Sequence, residues 1–131
     1  MTNSEFITEV MRLAGIVSEG VPLTAEQVLD GISMLNDMLA DWSADSIDVG
    51  YFQQSDPAAE NPIYADAMSA VKHNFAIRLC GHYGQEPPIA VVAVAQRGYE
   101  RLERDAVSAA MKEADLTHLP GASNRWDIEG G

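Results

Sequence analysis

Three side chains with nucleophilic, basic or metal-binding chemistry lie close together in the sequence, at His73, Cys80 and His82. If this segment is one helix, spacings of two, seven and nine residues do not bring the thiol within hydrogen-bond reach of an imidazole. Cys80 and His82 also lack the second ligand pair that zinc sites use. The spacing therefore predicts neither a nucleophile–base pair nor a metal site, and we interpret His73 as a core or helix-surface residue.

Other motifs of catalysis or cofactor binding are missing from the sequence. The segment from Gly15 to Gly20 lacks the Gly-Lys-Ser/Thr ending of a phosphate-binding loop. Twenty carboxylates make accidental pairs certain, so an acid pair does not by itself indicate a glycosidase. We therefore expect no catalytic residue, no metal and no cofactor, and we predict that the protein is not an enzyme.

The charge of the chain is unevenly distributed. Eight basic and twenty acidic residues give a formal net charge of −12. Residues 1–60 hold eleven acids and one base, whereas residues 61–131 hold nine acids and seven bases. The first half would repel a nucleic acid, which argues against a conventional DNA-binding surface there. The acidity either keeps a small protein soluble or serves a binding surface, and charge alone leaves both interpretations open.

The length and the cysteine count bound the class of protein. A chain of 131 residues predicts one domain with a sizeable core. We find no apolar run long enough to span a bilayer and no signal peptide at the start. Cys80 is the single cysteine and cannot form an internal disulfide, which favours a reducing compartment. We therefore expect a soluble protein that is made in a cytoplasm.

The longest predicted element is a helix from Thr24 to Asp45, and the other elements are expected to pack against it. Thr24 and Gln27 have the form of a capping box at its start. Steps of four and three between large apolar residues draw one stripe along this helix. The stripe consists of Val28, Ile32, Leu35, Leu39 and Trp42. Gly31 lies inside this helix, where glycine lowers helix stability relative to alanine. We therefore expect that it permits a neighbouring element to approach closely.

Three further helices are predicted. The first covers residues 3–14, with a Thr2–Glu5 capping box and Gly15 as its stop. Asn61-Pro62 predicts the opening of a third helix, whose stripe is Tyr64, Met68, Val71, Phe75 and Leu79. Pro87-Pro88 predicts the opening of a fourth, whose stripe is Ile89, Val92, Tyr99, Leu102 and Ala106 and whose outer face holds a Glu100–Arg104 pair.

The remaining segments lack helical periodicity. Residues 46–60 are predicted to form a long loop, in which Tyr51 and Phe52 either pack over the second helix or contact a partner. The fourth helix is expected to weaken between Asp105 and Asp115. We predict an all-α fold: a small antiparallel bundle of about four helices over residues 1–108, followed by an extended C-terminal tail over residues 109–131. The tail either frays or orders against a partner.

One stretch resembles a known family. It has the pattern Leu-x-x-Met-Leu-x-x-Trp-x-x-Asp from Leu35 to Asp45 and continues through Ile47 to Gly50-Tyr51. Three other stretches agree in order and spacing, at residues 12–16, 67–78 and 98–102. The chain resembles the head-to-tail connector proteins of tailed bacteriophages, in particular the tail accessory factors that stabilise packaged DNA in short-tailed phages.

This resemblance implies a structural protein that assembles as a ring beneath the portal after DNA packaging. The ring is expected to hold twelve copies, lengthen the channel, help retain the DNA and provide a platform for a downstream tail or nozzle protein. DNA would pass through the channel without sequence-specific binding, and no membrane would take part. The protein would be made in the host cytoplasm and would reside in the virion, in the neck at the portal vertex.

The resemblance also implies roles for particular residues. The tail would dock on the portal ring, with Trp126 as an anchor, through Leu116, Leu119, Pro120, Arg125, Trp126 and Ile128. A ring requires two different faces on each subunit. These would be a basic face at Arg97, Arg101 and Arg104 and an acidic face at Asp30, Asp37 and Asp41. Tyr51 and Phe52 would contact a neighbouring subunit or a tail protein.

Two other functions stay open on the residues alone. An acidic regulatory or DNA-mimic protein would use the negative first half to occupy a basic partner, and it would remain a monomer or dimer. A cell-wall hydrolase with a carboxylate pair is the third candidate, although no residue singles it out.

Overall fold

The computed structural model describes the backbone of residues 1–130 and the side chains of residues 1–114. This backbone contains four α-helices: α1 (Asn3–Leu13), α2 (Ala25–Ala44), α3 (Met68–His82) and α4 (Ile89–Gly130). An isolated antiparallel bridge joins Thr2 and Glu60, and the described backbone has no longer strand. The prediction of an all-α fold with about four helices is confirmed.

The first two helices begin where their local sequence predicts. In α1, Thr2 Oγ1 accepts a hydrogen bond from the Glu5 amide at 3.1 Å, while the Glu5 carboxylate accepts one from the Thr2 amide at 2.8 Å. Thr24 and Gln27 repeat this reciprocal pair at the start of α2. Gly15 follows α1 with a φ of 76°, so a residue without a Cβ ends the helix. Both capping boxes and the glycine stop are confirmed.

The core is centred on α3, which contacts the other three helices. Its stripe residues Val71, Phe75 and Leu79 are fully buried, and the Phe75 ring stacks near Phe6 of α1 with centroids 6.2 Å apart. The predicted α2 stripe is likewise buried from Val28 to Trp42. A Cβ on Gly31 would lie 2.6 Å from the Ile7 side chain, so this glycine does permit α1 to approach α2 closely.

The start of α3 differs from the prediction. The helix begins at Met68, whereas Asn61-Pro62 lies in the long connection that precedes it. The reason is long-range, because the Asn61 side chain is buried and donates to Asn3 Oδ1 at 3.0 Å. Tyr64, which was assigned to the α3 stripe, lies outside the helix and is largely exposed. Consequently, the connection between α2 and α3 is longer than the predicted loop over residues 46–60.

The face that α4 turns to the core also differs from the prediction. Within the predicted stripe, Leu102 is buried and Tyr99 and Ala106 pack against the core. Ile89 and Val92 are exposed instead, and Val91 and Ala95 are buried in their place. A Cβ on Gly98 would lie 2.7 Å from the Ala70 Cβ, which shows how closely α4 and α3 approach. The buried face of α4 therefore begins at Val91 and not at Ile89, and Gly98 lets it approach α3 closely.

The end of the chain requires a third correction. Instead of weakening after Asp105 into an extended tail, α4 continues as a helix to Gly130. Residues 106–114 are rich in Ala, Met, Lys and Glu, which favour helix without needing a partner. All side chains from Val107 to Ala114 are exposed. The loss of apolar periodicity thus marks where α4 leaves the bundle, and it does not mark where the helix ends.

Candidate functional site

The three predicted interface arginines share one side of α4. Arg97, Arg101 and Arg104 are exposed and lie within about 60° of one another around the helix axis. Arg101 donates to the backbone carbonyl of Asp66, while Arg97 and Arg104 make no hydrogen bond or ion pair with the described side chains. The predicted Glu100–Arg104 pair is not formed, because Glu100 accepts from Gln96 at 3.4 Å instead. We call Arg97, Arg101 and Arg104 the arginine stripe.

The three predicted interface aspartates are exposed along α2. Asp30, Asp37 and Asp41 are spread over about 16 Å of helix at 1.5 Å per residue. Asp41 pairs with Arg78 of α3 at 3.0 Å. Burial raises the pKa of the Tyr83 phenol, and the negative charge of nearby Asp30 raises it further. Among the described residues, none of these aspartates pairs with the arginine stripe, so the structure keeps the two faces apart within one chain.

Tyr51 and Phe52 have different environments. The Tyr51 hydroxyl donates to Asn36 Oδ1 on α2, and burial raises the pKa of Tyr51 to about 12. Phe52 is 65% exposed and helps line a hollow of about 300 Å³ beside Asp37, Ala40 and Ser43. Tyr51 therefore packs over α2, whereas Phe52 remains available for contact.

A buried network of side-chain amides holds this loop in place. Asn3 Nδ2 donates to Gln54 Oε1 at 3.0 Å and to the Asp56 carbonyl at 2.9 Å. Asn36 of α2 donates to the Gln54 carbonyl at 2.9 Å and accepts from the Gln54 amide at 3.0 Å. The sequence gives no sign of this network, because partners 18 to 53 residues apart leave no periodic signal.

A second feature without a signal in the sequence is a groove lined by α2 and α4, with part of α3 at one end. Its floor contains Trp42 and Tyr99, whose rings meet edge to face with centroids 5.1 Å apart. Two open hollows of about 460 and 500 Å³ share Tyr99 and Asp45, and Glu103 lines the second. Burial first, and then the charges of Asp45 and Glu103, raise the pKa of Tyr99. We call this feature the α2–α4 groove.

Cys80, His73 and His82 each contact a different group and do not contact one another. The Cys80 thiol is buried, with its pKa raised by burial, and donates to the Ala14 carbonyl at 3.6 Å. His73 Nδ1 lies 2.7 Å from the Ser69 carbonyl, and the His82 ring packs edge-on against Tyr83. Among the described residues, no group of three or more His, Cys, Asp or Glu side chains is arranged to hold a metal ion.

The predicted portal-binding residues, Leu116, Leu119, Pro120, Arg125, Trp126 and Ile128, lie outside the described side chains. The backbone places them on the last part of α4. Their proposed contacts therefore remain a prediction.

Comparison with known families decides the kind of protein. The sequence model of the P22 tail accessory factor family matches residues 1–130, nearly the whole chain. The chain belongs to this family. As a tail accessory factor it is a component of a phage virion, which agrees with the resemblance seen in the sequence. In the described part of this tail accessory factor, no helix is both long and apolar enough to span a membrane.

Proposed function

We propose that this tail accessory factor is a head-to-tail connector subunit of the virion. Twelve copies assemble as a ring beneath the portal after DNA packaging, extend the channel, help retain the DNA and provide the attachment platform for the tail or nozzle protein. The observation on which this proposal depends is the family match over residues 1–130. A neck location at the portal vertex follows from this role.

The shape of α4 supports the portal-docking part of the proposal. At 1.5 Å per residue, its 42 residues span about 63 Å, longer than the diameter of a small domain. Met111 is exposed on the part of α4 that has left the bundle. A helical arm with uncovered apolar side chains is suited to bury them on a large partner. We propose that residues 109–131 are this arm.

The charge distribution supports assembly through two different faces. The arginine stripe and the α2 aspartates are exposed on separate helices of one chain. A heterologous contact between different faces closes into a ring when the rotation between subunits allows it. Exposed carboxylates facing a channel would also let DNA slide, because like charges repel.

The test is native mass spectrometry of the protein alone and mixed with the portal ring of the same phage. We expect one added copy for each portal subunit. A chain lacking residues 116–131 should keep the helical circular dichroism of the bundle but fail to join the portal. A matched control is Glu19→Lys with Glu86→Lys, two exposed changes outside the proposed surfaces. If the full chain never joins the portal, the connector proposal is wrong.

One observation favours a second candidate, an acidic regulatory or DNA-mimic protein. Glu26, Asp30, Asp37 and Asp41 are all exposed within about 60° on one side of α2. Such a stripe can occupy a basic partner. Stable one-to-one capture of a basic protein by the wild-type chain, lost on reversing these four charges and combined with no binding to the portal, would favour this candidate.

A further inference from the structure

The α2–α4 groove has an apolar floor and an acidic rim. Met38, Trp42, Ile77 and Tyr99 contribute apolar surface to the first hollow, and Ile47, Ala106, Val107 and Ala110 contribute it to the second. The rim carries the carboxylates of Asp41, Asp45 and Glu103 and, at the first hollow, the guanidinium of Arg78. Asp41 is neutralised by Arg78, whereas Asp45 and Glu103 have no ion pair among the described residues. The groove therefore suits a partner segment that is basic and slender.

The arginine stripe has these properties. Its flanking positions on the same side of α4 are small and exposed: Ala90, Ala93 and Ser108. Small flanking side chains allow a helix to approach a groove closely. The apolar stems of arginine pack well on aromatic rings, and their guanidinium groups reach carboxylates at a rim. Arg97 and Arg104 have no partner within the described part of their own chain.

The stripe cannot enter the groove of its own chain. Tyr99, which α4 contributes to the groove, and Arg101, in the stripe, are two residues apart and thus about 160° apart around the helix. The stripe therefore faces away from the groove that the same helix helps to form. A stripe that seats in such a groove must come from another molecule.

We propose that the α2–α4 groove binds the arginine stripe of a second copy of this chain. Unpaired Arg97 and Arg104 of one copy meet unpaired Asp45 and Glu103 of the next, over the Trp42–Tyr99 floor. This inference rests on the proposed function and specifies which surface of each subunit forms the contact. It replaces Asp30 and Asp37, which lie outside the groove lining, with Asp45 and Glu103 as the acidic partners.

The test uses two full-length variants that each lose one side of the contact. The stripe variant carries Arg97→Glu, Arg101→Glu and Arg104→Glu. The groove variant carries the neutral changes Asp45→Asn and Glu103→Gln, so that its groove does not attract the altered stripe. Sedimentation at high protein concentration and low salt would measure self-association, with portal rings added in a parallel series. We expect the wild type to self-associate and each variant alone to do so at least about tenfold more weakly.

Mixing the two variants is the decisive measurement. The stripe variant keeps an intact groove and the groove variant keeps an intact stripe, so the mixture should form a one-to-one heterodimer that cannot grow. Absence of that heterodimer, or self-association of either variant as strong as that of the wild type, would overturn the inference. Wild type that remains monomeric both in solution and on the portal would also overturn it. The Glu19→Lys, Glu86→Lys variant should associate as the wild type does.

The outcomes separate this inference from the proposed function. In one outcome, the wild type and both variants bind the portal ring equally well, and neighbouring copies of each variant contact one another on it. The connector role then stands and the groove assignment fails. If the variants form the capped heterodimer but wild type never joins the portal, the groove assignment stands and the connector role fails.

Discussion

The indole of Trp42 and the phenol ring of Tyr99 meet edge to face, 5.1 Å between centroids, and this contact joins α2 to α4. Trp42 is almost fully buried, and Tyr99 is partly buried above it. The pair forms the floor of the α2–α4 groove. It also sets the position of Asp45 and Glu103, because one follows Trp42 by three residues and the other follows Tyr99 by four.

A double-mutant cycle should detect this contact as a coupling energy. Aromatic pairs of this geometry contribute about 0.5–1.5 kcal/mol beyond the area that they bury. We therefore expect Trp42→Leu and Tyr99→Leu to be non-additive by about that amount in the free energy of unfolding, measured by urea titration. The control cycle pairs Trp42→Leu with Phe52→Leu, an exposed ring that should add independently. Equal coupling in the two cycles would contradict the prediction.

The buried Asn3 amide should be costly to remove. Asn3→Ala leaves Gln54 Oε1, the Asp56 carbonyl and the Asn61 amide without their partner. Unsatisfied buried polar groups predict a loss of about 2–3 kcal/mol in the free energy of unfolding. Hydrogen exchange should also become faster over residues 50–61, since the network fixes that loop. Gln53→Ala is the matched control, because Gln53 is exposed beside Gln54 and should change stability by less than about 0.5 kcal/mol.

Two glycines inside helices should respond to alanine with opposite signs. A Cβ at Gly98 would lie 2.7 Å from Ala70 Cβ and 3.0 Å from its backbone Cα, so α3 and α4 must separate. Gly98→Ala should therefore lower the melting temperature, with an overpacking cost of about 1–3 kcal/mol. At Gly81 the added Cβ meets no atom within 4 Å outside its own stretch of α3, and Gly81→Ala should stabilise by up to about 1 kcal/mol. A stabilising Gly98→Ala would show that the helices approach less closely.

Stability at alkaline pH should depend on Tyr51. Burial raises its pKa from 10.0 to about 12 in the folded state. Below about pH 10 the Tyr51 phenol is protonated in both the folded and the unfolded chain. Its contribution to the free energy of unfolding is therefore fully present. Between about pH 10 and 12 the unfolded chain loses its proton first, so the free energy of unfolding falls as pH rises.

Urea midpoints across that pH range measure this effect. Tyr51→Phe should give a shallower decline than wild type, and some decline should remain because burial also raises the pKa of Tyr83 and Tyr99. Phe52→Leu, a change at an exposed ring that removes no titratable group, is the control and should keep the wild-type slope. Identical slopes for Tyr51→Phe and wild type would show that Tyr51 is not the group responsible.

Elements whose signals are local can be predicted from the amino-acid sequence. The capping boxes at Thr2 and Thr24 and the α2 stripe depend on residues within one or two turns of each other, so periodicity was sufficient to find them. The pattern from Leu35 to Asp45 also identified the family that the comparison then showed. The exposure of the arginine stripe and of the α2 aspartates followed from the same helical spacing.

Only the tertiary structure decided features that depend on distant partners. α3 begins at Met68 because Asn61 is held by Asn3, and the register of α4 follows from how closely Gly98 approaches Ala70. The α2–α4 groove exists because Trp42 meets Tyr99 across the bundle. In each case the partners are far apart in the chain, and helical periodicity reports only which residues share a face. Packing selects the face that is buried, the helix that covers it and the charges that remain unpaired at the surface.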